Sequence, residues 1–402
     1  MTQSANAGAG RPLTGVKVID FGQYIAGPGA GMVLAELGAD VIKVEPPAGD
    51  AARGIGPMGQ SMVRAYNRNK RSIAIDLADP RGSAAVMRLI ADADVVIQNL
   101  RPGVIEKFGL GPAQVRALHP RVIYLSVTGF GRNGPSANRP GFDIAAQAES
   151  GMMSMIGDPD GTPHKVGSPI IDSTTAHLGA QAVLAALLQR ARTGVGDTIE
   201  ASLLGTAMHL MLPSWGWYLN GGPEPRRVGN GQPAAAPAAD IVRTADGQIV
   251  LSAFTDDHWA RLCKAIGRPE MVADPRFATN AQRVANRAAM HEILGECLSH
   301  STSDECVRLL AEQQIVVGAV RGFAQARDSA DVVANGLIAD VEPRGDEPGY
   351  RTLRLPYTMA ESPVPATRAA PRLGEHGTEV LLEAGFTRDE VDALRAAGVL
   401  RP

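Results

Sequence analysis

One aspartate stands where an apolar run of the sequence changes into a long helical pattern. The run Val166–Ile171 ends at Asp172, and from Ser173 to about Arg192 the apolar residues recur at helical spacing. The pattern predicts a strand that ends at Asp172 and a helix that begins directly after it. Aspartate is a preferred N-cap because its side-chain oxygen accepts the unpaired N–H groups of a first helical turn. One interpretation of Asp172 is therefore a cap, and the other is a reactive carboxylate.

The elements at the start of the chain predict a parallel α/β sheet. A strand pattern at Val16–Phe21 precedes a glycine-rich loop, a helical segment at Met32–Leu37 and a second strand at Ala39–Glu45. This order suggests a dinucleotide site with Glu45 on a ribose. The glycines, however, lack the G-x-G-x-x-G spacing, because Met32 stands where the third glycine belongs. A nicotinamide or flavin enzyme is therefore not favoured.

Later strand patterns extend the predicted sheet. They are Ile73–Leu77, Ala93–Leu100 and Val122–Thr128. The second of these strands ends near Asn99, so Asn99, Leu100 and Arg101 lie at the carboxyl end, where open α/β sheets bind ligands. The basic cluster Asn67–Ser72 precedes the first of them. Such a cluster either holds phosphates or forms a solvated loop, and the sequence leaves both possibilities open.

Composition and element order predict how the chain is divided. Residues 12–219 are expected to form the first part of a large domain with a doubly wound parallel sheet, and 220–238 a linker rich in Gly, Pro and Ala. Residues 239–326 are expected to form a smaller α+β domain, and 327–402 a C-terminal part. The small negative net charge of −3 argues against nucleic acid as a partner.

The sequence also disfavours other protein classes. Its 3 cysteines are far apart, so neither a disulfide framework nor a zinc site is expected. It contains no signal-peptide pattern and no apolar run long enough to cross a membrane, which predicts a cytoplasmic protein without a membrane partner.

Several short motifs occur in an order that resembles one enzyme family. They are Gln23–Pro28, Leu37–Pro46, Asn69–Ser72, Asn99–Gly103, Ser126–Gly131, the Asp172 junction and Leu373–His376. Along nearly its whole length the chain is similar to the class III CoA-transferases, the group of formyl-CoA transferase and carnitine CoA-transferase. The resemblance implies a Rossmann-like large domain built from both chain ends, a smaller α+β domain and an interlocked homodimer. It also implies transfer of CoA from an acyl-CoA donor to a carboxylic acid acceptor, with no tightly bound cofactor and no metal.

The same resemblance assigns roles to particular residues. Asp172 matches the family's nucleophile, and the positions that match CoA contacts are Tyr24, Ile25, Ala26, Ile75, Asp76, Leu77, Ala78, Asn99, Leu100, Arg101, Lys107, Phe142 and Asp143. Two positions depart from the family pattern. Pro46 stands where an arginine is common, and Lys107 replaces an arginine, which keeps the charge but loses bidentate phosphate geometry. The phosphate contacts are therefore less certain than the nucleophile.

The implied chemistry suits a lone aspartate. A carboxylate with the usual pKa of about 3.9 is ionised at neutral pH, so it can attack a thioester without a partner base. The reactive intermediates hydrolyse readily, so a lid must exclude water. Gly229–Gly231 is the candidate for this lid, and the alternative is a plain flexible linker.

Two alternatives remain at the level of sequence. The α-methylacyl-CoA racemases share these motifs but carry a Gly-His-Asp triplet, whereas this chain has Gly141-Phe142-Asp143. Phe142 cannot accept a proton, so racemisation would need another base, such as His164 or His177. The other alternative is a non-catalytic CoA- or nucleotide-binding protein. The sequence does not name the two carboxylic acids.

Overall fold

A six-stranded parallel sheet lies at the centre of the larger of two units in this computed structural model. The structure describes residues 11–231, 237–362 and 368–401. The strands of the sheet are β1 (Lys17–Asp20), β2 (Asp40–Glu45), β3 (Arg71–Ala74), β4 (Val95–Gln98), β5 (Ile123–Thr128) and β6 (Thr198–Ser202). Their order is β3-β2-β1-β4-β5-β6, so the direction of winding reverses between β1 and β4. Ligands of doubly wound sheets bind beyond the carboxyl ends of the strands at such a point.

Helices join the parallel strands, which cannot be connected by tight turns. In chain order the helices are α1 (Ala26–Glu36), α2 (Gly56–Tyr66), α3 (Pro80–Ala91), α4 (Pro112–Leu118), α5 (Asp143–Glu149), α6 (Met152–Met155), α7 (Ile170–Thr193), α8 (Leu203–Leu210), α9 (Leu212–Leu219), α10 (Asp256–Ala265), α11 (Asn280–Ala285), α12 (Arg287–Leu298), α13 (Ser303–Glu312), α14 (Phe323–Arg327), α15 (Ala330–Ala334), α16 (Gly377–Glu383) and α17 (Arg388–Ala396). Short 3₁₀ helices lie at Ala51–Gly54, Ile105–Phe108 and Pro269–Val272.

The remaining strands form two antiparallel sheets. The strands β7 (Asp240–Arg243), β8 (Gln248–Ser252) and β9 (Val316–Ala319) pair in that order, and β10 (Ile338–Val341) pairs with β11 (Tyr350–Leu353). The larger unit takes its described residues from 1–152, 166–216 and 335–402, and the second unit comprises 153–165 and 217–334. A doubly wound parallel sheet with a smaller α+β unit was predicted, and this fold class is confirmed. The domain boundaries stay predictions, and the linker predicted at 220–238 falls partly on residues 232–236, outside the described residues.

The central strands are buried because helices cover both faces of a parallel sheet. Every residue of β4 and of β5 is buried. The polar group of the one tyrosine in β5 is also paired, since the Tyr124 hydroxyl donates to the carbonyl of Leu110 at 2.7 Å. A nearly continuous apolar run is what a strand in this position requires, which explains why these strands could be predicted.

The glycine-rich stretch after β1 is helical, which corrects the predicted loop. Helix α1 begins at Ala26 rather than Met32, and all of its residues are buried. A Cβ atom on Gly29 would lie 2.6 Å from the Cβ of Ala176 on α7. The glycines therefore allow α1 to pack closely against α7, instead of forming a phosphate-binding turn.

The strand predicted before Asp172 is also wrong. Residues 166–169 form no strand, α7 begins at Ile170, and Asp172 lies in the first turn of the helix with Pro169 at the N-cap position. Proline has no N–H to donate to a strand ladder, and Gly167, Ser168 and Pro169 are exposed. The β-branched pair Ile170 and Ile171 begins the helix, but its composition is typical of a strand, which explains the wrong prediction.

The C-terminal segment pairs with the outer edge of the sheet at β3. Arg401 donates its N–H to the carbonyl of Ala74 at 2.9 Å, and Asp76 donates to the carbonyl of Val399 at the same distance. The N–H of His376 donates to the carbonyl of Ser72 at 2.9 Å. Segments from both ends of the described chain therefore build the larger unit.

We expect Gly29→Ala to lower the free energy of unfolding by about 1–3 kcal/mol, because the added methyl group overpacks the contact between α1 and α7. The matched control is Gly295→Ala in α12, where a Cβ atom would meet nothing within 4 Å. That control should be neutral or stabilising by about 0.5–1 kcal/mol. Urea denaturation of both variants measures the difference, and equal effects would contradict the packing argument.

Candidate active site

A cavity of about 290 Å³ lies at the reversal point of the sheet. The loops after β1, β4 and β5 form its walls together with the segment before α5 and the first turn of α7. It brings together eight of the residues singled out from the sequence, namely Tyr24, Ile25, Ala26, Asn99, Leu100, Arg101, Phe142 and Asp172. Sequence reasoning missed Gln23, Thr128, Gly129 and Leu203, which also line it.

Other predicted site residues do not line this cavity. They are Ile75, Asp76, Leu77, Ala78, Lys107 and Asp143. The first four follow β3, where Ile75 is fully buried and bridges to Leu400. Lys107 is exposed on the short helix Ile105–Phe108. CoA contacts at these positions stay predictions.

Asp143, rather than Asp172, caps the start of α7. Its Oδ2 atom accepts the N–H of Ile171 at 2.7 Å and the N–H of Asp172 at 3.1 Å. Asp143 is only 8% exposed and begins α5, one helix away in the chain. The carboxylate of Asp172 is thus not the cap and lies at the cavity wall.

Two causes raise the pKa of Asp172 to about 7. The larger is burial, which disfavours the charged form, and the second is the negative charge of Asp143. This corrects the expectation that the aspartate has its ordinary acidity. Close to neutral pH, the protonated and ionised forms of Asp172 are both populated.

Gln147 completes the hydrogen bonds around Asp143. Its Nε2 atom donates to Oδ1 of Asp143, and its Oε1 atom accepts the N–H of Val166 at 2.8 Å. Gln147 is 1% exposed. One buried network therefore joins α5, the segment before α7 and the first turn that carries Asp172.

Two lysines hold the loop that follows β1 and the first turn of α1. The ammonium group of Lys43 donates to the carbonyl of Gly22 at 2.6 Å, and that of Lys70 donates to the carbonyl of Pro28 at 2.7 Å. Both side chains are fully buried, and they pair with Asp50 and Asp20 at 2.9 Å and 2.6 Å. A buried ammonium group needs a counter-charge and acceptors for its protons, and this arrangement supplies both.

Side chains also hold the middle of this loop. The Asn99 amide accepts the N–H of Gln23 at 2.7 Å and donates to its carbonyl at 2.9 Å. Oδ1 of Asp50 accepts the N–H of Tyr24 at 3.2 Å. Tyr24 has φ of 63°, in the left-handed region that non-glycine residues rarely adopt. The loop at the cavity is therefore held in one conformation by its neighbours.

The basic cluster Asn67–Ser72 is neither a phosphate site nor a solvated loop. Arg68 pairs with Glu36, Lys70 with Asp20, and Arg71 with Asp40, Glu379 and Glu383. Glu45, suggested by the dinucleotide interpretation, is buried and accepts hydrogen bonds from Arg53 and Ser72. These charges are used within the protein.

Two aromatic rings border the cavity. The rings of Tyr24 and Phe142 meet edge to face with centroids 5.7 Å apart, and Phe142 is 57% exposed. Neither histidine considered as an alternative base lines the cavity, since His177 is exposed on α7 and His164 is exposed in the second unit.

The part of the chain that the structure describes offers no candidate for a metal site or a membrane span. No group of three or more His, Cys, Asp or Glu side chains there could hold a metal ion. Within the same residues, no helix has both the length and the apolar composition needed to cross a membrane. The three cysteines are free thiols.

Comparison with known proteins identifies the family. The model of CoA-transferase family III matches residues 13–377. The chain belongs to this family. This family III CoA-transferase is 38% identical to a probable fatty acyl-CoA transferase of Mycobacterium tuberculosis, over 92% of this chain and 98% of that protein. It is 37% identical to the succinate–glutarate CoA-transferase of Agrobacterium fabrum, over 92% and 95% of the two chains.

A solved structure supports the same assignment. The crystal structure of a CAIB/BAIF family protein from Brucella suis matches with a TM-score of 0.84 at 35% identity, covering 94% of this chain and all of that one. The resemblance seen in the sequence motifs is therefore confirmed, and the protein is an enzyme of CoA-transferase family III.

We expect Asp172→Asn to stabilise the protein at high pH. Because the pKa rises from 3.8 to about 7 on folding, the native state binds this proton more tightly. The free energy of unfolding of the wild type should therefore fall as the pH rises from 3.8 to about 7, by up to roughly 4 kcal/mol in total. The uncharged variant avoids this loss, so it should be more stable near pH 8 and similar to the wild type near pH 4.

Urea denaturation at both pH values measures the effect of Asp172→Asn. The control is Asp392→Asn, which removes an exposed carboxylate on α17. The control should not shift with pH in this way. A stability difference between Asp172→Asn and wild type that is the same at both pH values would contradict the assignment of the raised pKa to Asp172.

Proposed function

We propose that this family III CoA-transferase moves CoA from an acyl-CoA thioester to a carboxylic acid, with Asp172 as the covalent carrier. The observation that carries the proposal is the position of Asp172. Among the described residues that line the cavity at the sheet reversal, it is the one carboxylate, and its capping role is taken by Asp143. A carboxylate left at a cavity with a raised pKa is typical of a functional group.

The proposed reaction has four balanced steps. The Asp172 carboxylate attacks the donor thioester carbonyl, which forms a mixed anhydride and releases CoA thiolate. The thiolate attacks the aspartyl carbonyl, giving an aspartyl-CoA thioester and the free donor acid. The acceptor carboxylate then attacks this thioester, forming a second anhydride and thiolate. Attack of the thiolate on the acceptor acyl carbon releases the new acyl-CoA and restores the Asp172 carboxylate.

The surroundings of Asp172 favour this chemistry. The raised pKa makes the ionised form more basic than an ordinary carboxylate, and a more basic group is a stronger nucleophile of its type. Ile25 and Ala26 line the cavity at the N-terminal end of α1, where the helix dipole favours the negative charge of a thiolate or oxyanion. Tyr24, Phe142 and Leu203 add apolar walls that limit water.

We propose that CoA binds along the loops after β1 and β4. Tyr24, Ile25, Ala26, Asn99, Leu100 and Arg101 border the same cavity as Asp172, which supports their predicted role. The lid predicted at Gly229–Gly231 lies in the second unit, where the N–H of Gly229 donates to the carbonyl of Gly157 at 3.1 Å. Closure of this segment over a substrate stays a prediction.

The classes of donor and acceptor carboxylic acid are proposed from the names of two relatives. One relative is named for fatty acyl-CoA and another for succinate and glutarate, so the panel of donors and acceptors should include long-chain monocarboxylates and short dicarboxylates. Mass spectrometry of the thioesters formed from each pair would identify the preferred class.

We also propose that the enzyme is a homodimer. The three-stranded sheet of the second unit and the residues that follow its strands leave apolar side chains exposed, namely Val250 and Val316 in the strands, Phe254 and Val320 after them, and Phe323 at the start of α14. Phe323 is 99% exposed, and Val316 is 68% exposed. Apolar patches of this kind mark protein interfaces, and a second copy of the chain is the partner that the resemblance implies. The interlocked form of the dimer stays a prediction.

Replacing Asp172 tests the proposed mechanism. Asp172→Ala and Asp172→Asn should abolish transfer for every donor and acceptor, because each reaction passes through the same covalent carrier. CoA affinity, measured by calorimetry, should remain close to that of the wild type. After incubation with a donor, borohydride or hydroxylamine should modify Asp172 alone, as read by peptide mass spectrometry. Substantial turnover by Asp172→Ala would disprove the mechanism.

Isotope exchange separates transfer from the racemase alternative. Racemisation removes an α-proton and needs a base on each face of that carbon, whereas transfer breaks no C–H bond. Phe142 occupies the position of the racemase histidine, so we expect no deuterium in the α-carbon of a 2-methylacyl-CoA incubated in D₂O. Deuterium at turnover rates without an acceptor would favour the racemase. Absence of both exchange and transfer would favour a non-catalytic CoA-binding protein.

A further inference from the structure

We infer that Asp143 is a positioning residue for Asp172. Its carboxylate holds the backbone N–H groups of Ile171 and Asp172 and places a second negative charge near the reacting carboxylate. The inference rests on the proposed role of Asp172. It differs from the role that the sequence resemblance implies, which places Asp143 among the CoA contacts. The structure directs this side chain to the backbone of α7 and not to the cavity wall.

The geometry leaves the Asp143 carboxylate committed on both oxygens. Oδ2 accepts two consecutive N–H groups of α7, and Oδ1 accepts the Nε2 proton of Gln147. Both residues are more than nine-tenths buried. A carboxylate held by three donors in a buried site has little freedom to turn toward a ligand. Its contacts therefore determine where the first turn of α7 presents Asp172.

The charge of Asp143 acts in addition to its hydrogen bonds. The free N–H groups at a helix N-terminus normally stabilise an anion in the first turn. Here Asp143 takes two of these donors, so Asp172 faces a like charge where it would otherwise find support. Acylation makes Asp172 neutral and removes this repulsion, and release of product restores it. The arrangement therefore makes the ionised Asp172 a stronger nucleophile than a well-stabilised carboxylate would be.

The elements that contact α7, α7 itself and the cavity wall carry other titratable and charged groups, and five of these have hydrogen-bond or ion-pair partners. They are Glu36 on α1, Glu149 on α5, His209 on α8, Tyr124 on β5, Glu200 on β6, His177 on α7, and Tyr24, Tyr66 and Arg101. The three glutamates pair with arginines, Tyr124 donates to a backbone carbonyl, and Tyr66 shares a hydrogen bond with Ser173. The like charge that raises the pKa of Asp172 is that of Asp143.

Asp143→Asn removes the charge and keeps the two hydrogen bonds to α7, because the amide oxygen can still accept both N–H groups. Only the bond from Gln147 Nε2 is lost, since an NH₂ group replaces the oxygen that accepts it. The titration midpoint of Asp172 should move down by about one pH unit when the like charge is removed, because burial, the larger cause of the raised pKa, remains. With a slope of about one half between nucleophilicity and basicity, as for thiolates, the acylation rate at high pH should fall roughly threefold. CoA affinity should not change.

Two readouts test this expectation on the full-length enzyme. Infrared difference spectra across pH follow the Asp172 carboxyl band, assigned by its loss in Asp172→Asn, and need no turnover. Single-turnover acylation by a donor acyl-CoA, measured across the same pH range, gives the rate profile. The matched control is Glu149→Gln, which removes one negative charge from the exposed side of the same helix and should leave both profiles unchanged. Asp143→Ser, also neutral and able to accept N–H groups, serves if Asp143→Asn does not fold.

The outcomes distinguish the possible roles. A lower midpoint with unchanged CoA affinity supports the inference. An unchanged midpoint overturns it, and a simultaneous loss of CoA affinity would then return Asp143 to the CoA contact expected from the sequence. If Asp172→Ala retains turnover, the proposed function fails, but the infrared titration still decides whether Asp143 controls the ionisation of Asp172.

Discussion

The cavity depends on two ammonium groups that are removed from water. Lys43 and Lys70 lie inside the larger unit, and each bonds a carboxylate and a backbone carbonyl, that of Gly22 in the loop after β1 for Lys43 and that of Pro28 in the first turn of α1 for Lys70. Buried ion pairs add little net stability compared with apolar side chains, because desolvation offsets most of their attraction. Their effect here is geometric. They hold the backbone of the loop in one path, and that path forms one wall of the cavity and carries the left-handed Tyr24.

The opposite wall uses the same principle with the sign of charge reversed. The first turn of α7 is held by a buried carboxylate, Asp143, and the residue presented to the cavity is a second carboxylate, Asp172. Cations thus orient carbonyl groups on one side, and an anion orients N–H groups on the other. Between them, apolar side chains lower the local dielectric and strengthen every remaining charge interaction.

Regular elements could be predicted from the sequence, whereas long-range pairing could not. The buried strands β4 and β5 could be predicted from their apolar runs. The order of the motifs indicated the family and the role of Asp172. The sequence predicts a loop for the helical glycines of α1, because these glycines accommodate close packing against α7, a helix far along the chain. The same holds for Lys70, whose partner Asp20 lies on another strand.

A signal for part of the missed network was nevertheless present. Lys43 stands between apolar residues in the parallel strand β2, where both faces of the sheet are covered. A charged side chain in such a strand must have a buried partner, although the sequence does not say which one. The sequence contains no comparable signal for the role of Asp143. An aspartate at the start of a short helix is compatible with a ligand contact, a cap or a solvated charge.

The pairing of residues 399–401 with β3 has a consequence for the order of folding. The contact joins β3 to residues 399–401, so it closes a very long loop. Contacts of that kind form late, both because loop closure is entropically unfavourable and because the partner segment is synthesised long after β3. Until then β3 is an open edge with unpaired backbone groups, which is a template for association with other chains. Pairing with the C-terminal segment therefore both completes the native sheet and closes an edge that could otherwise pair with other chains.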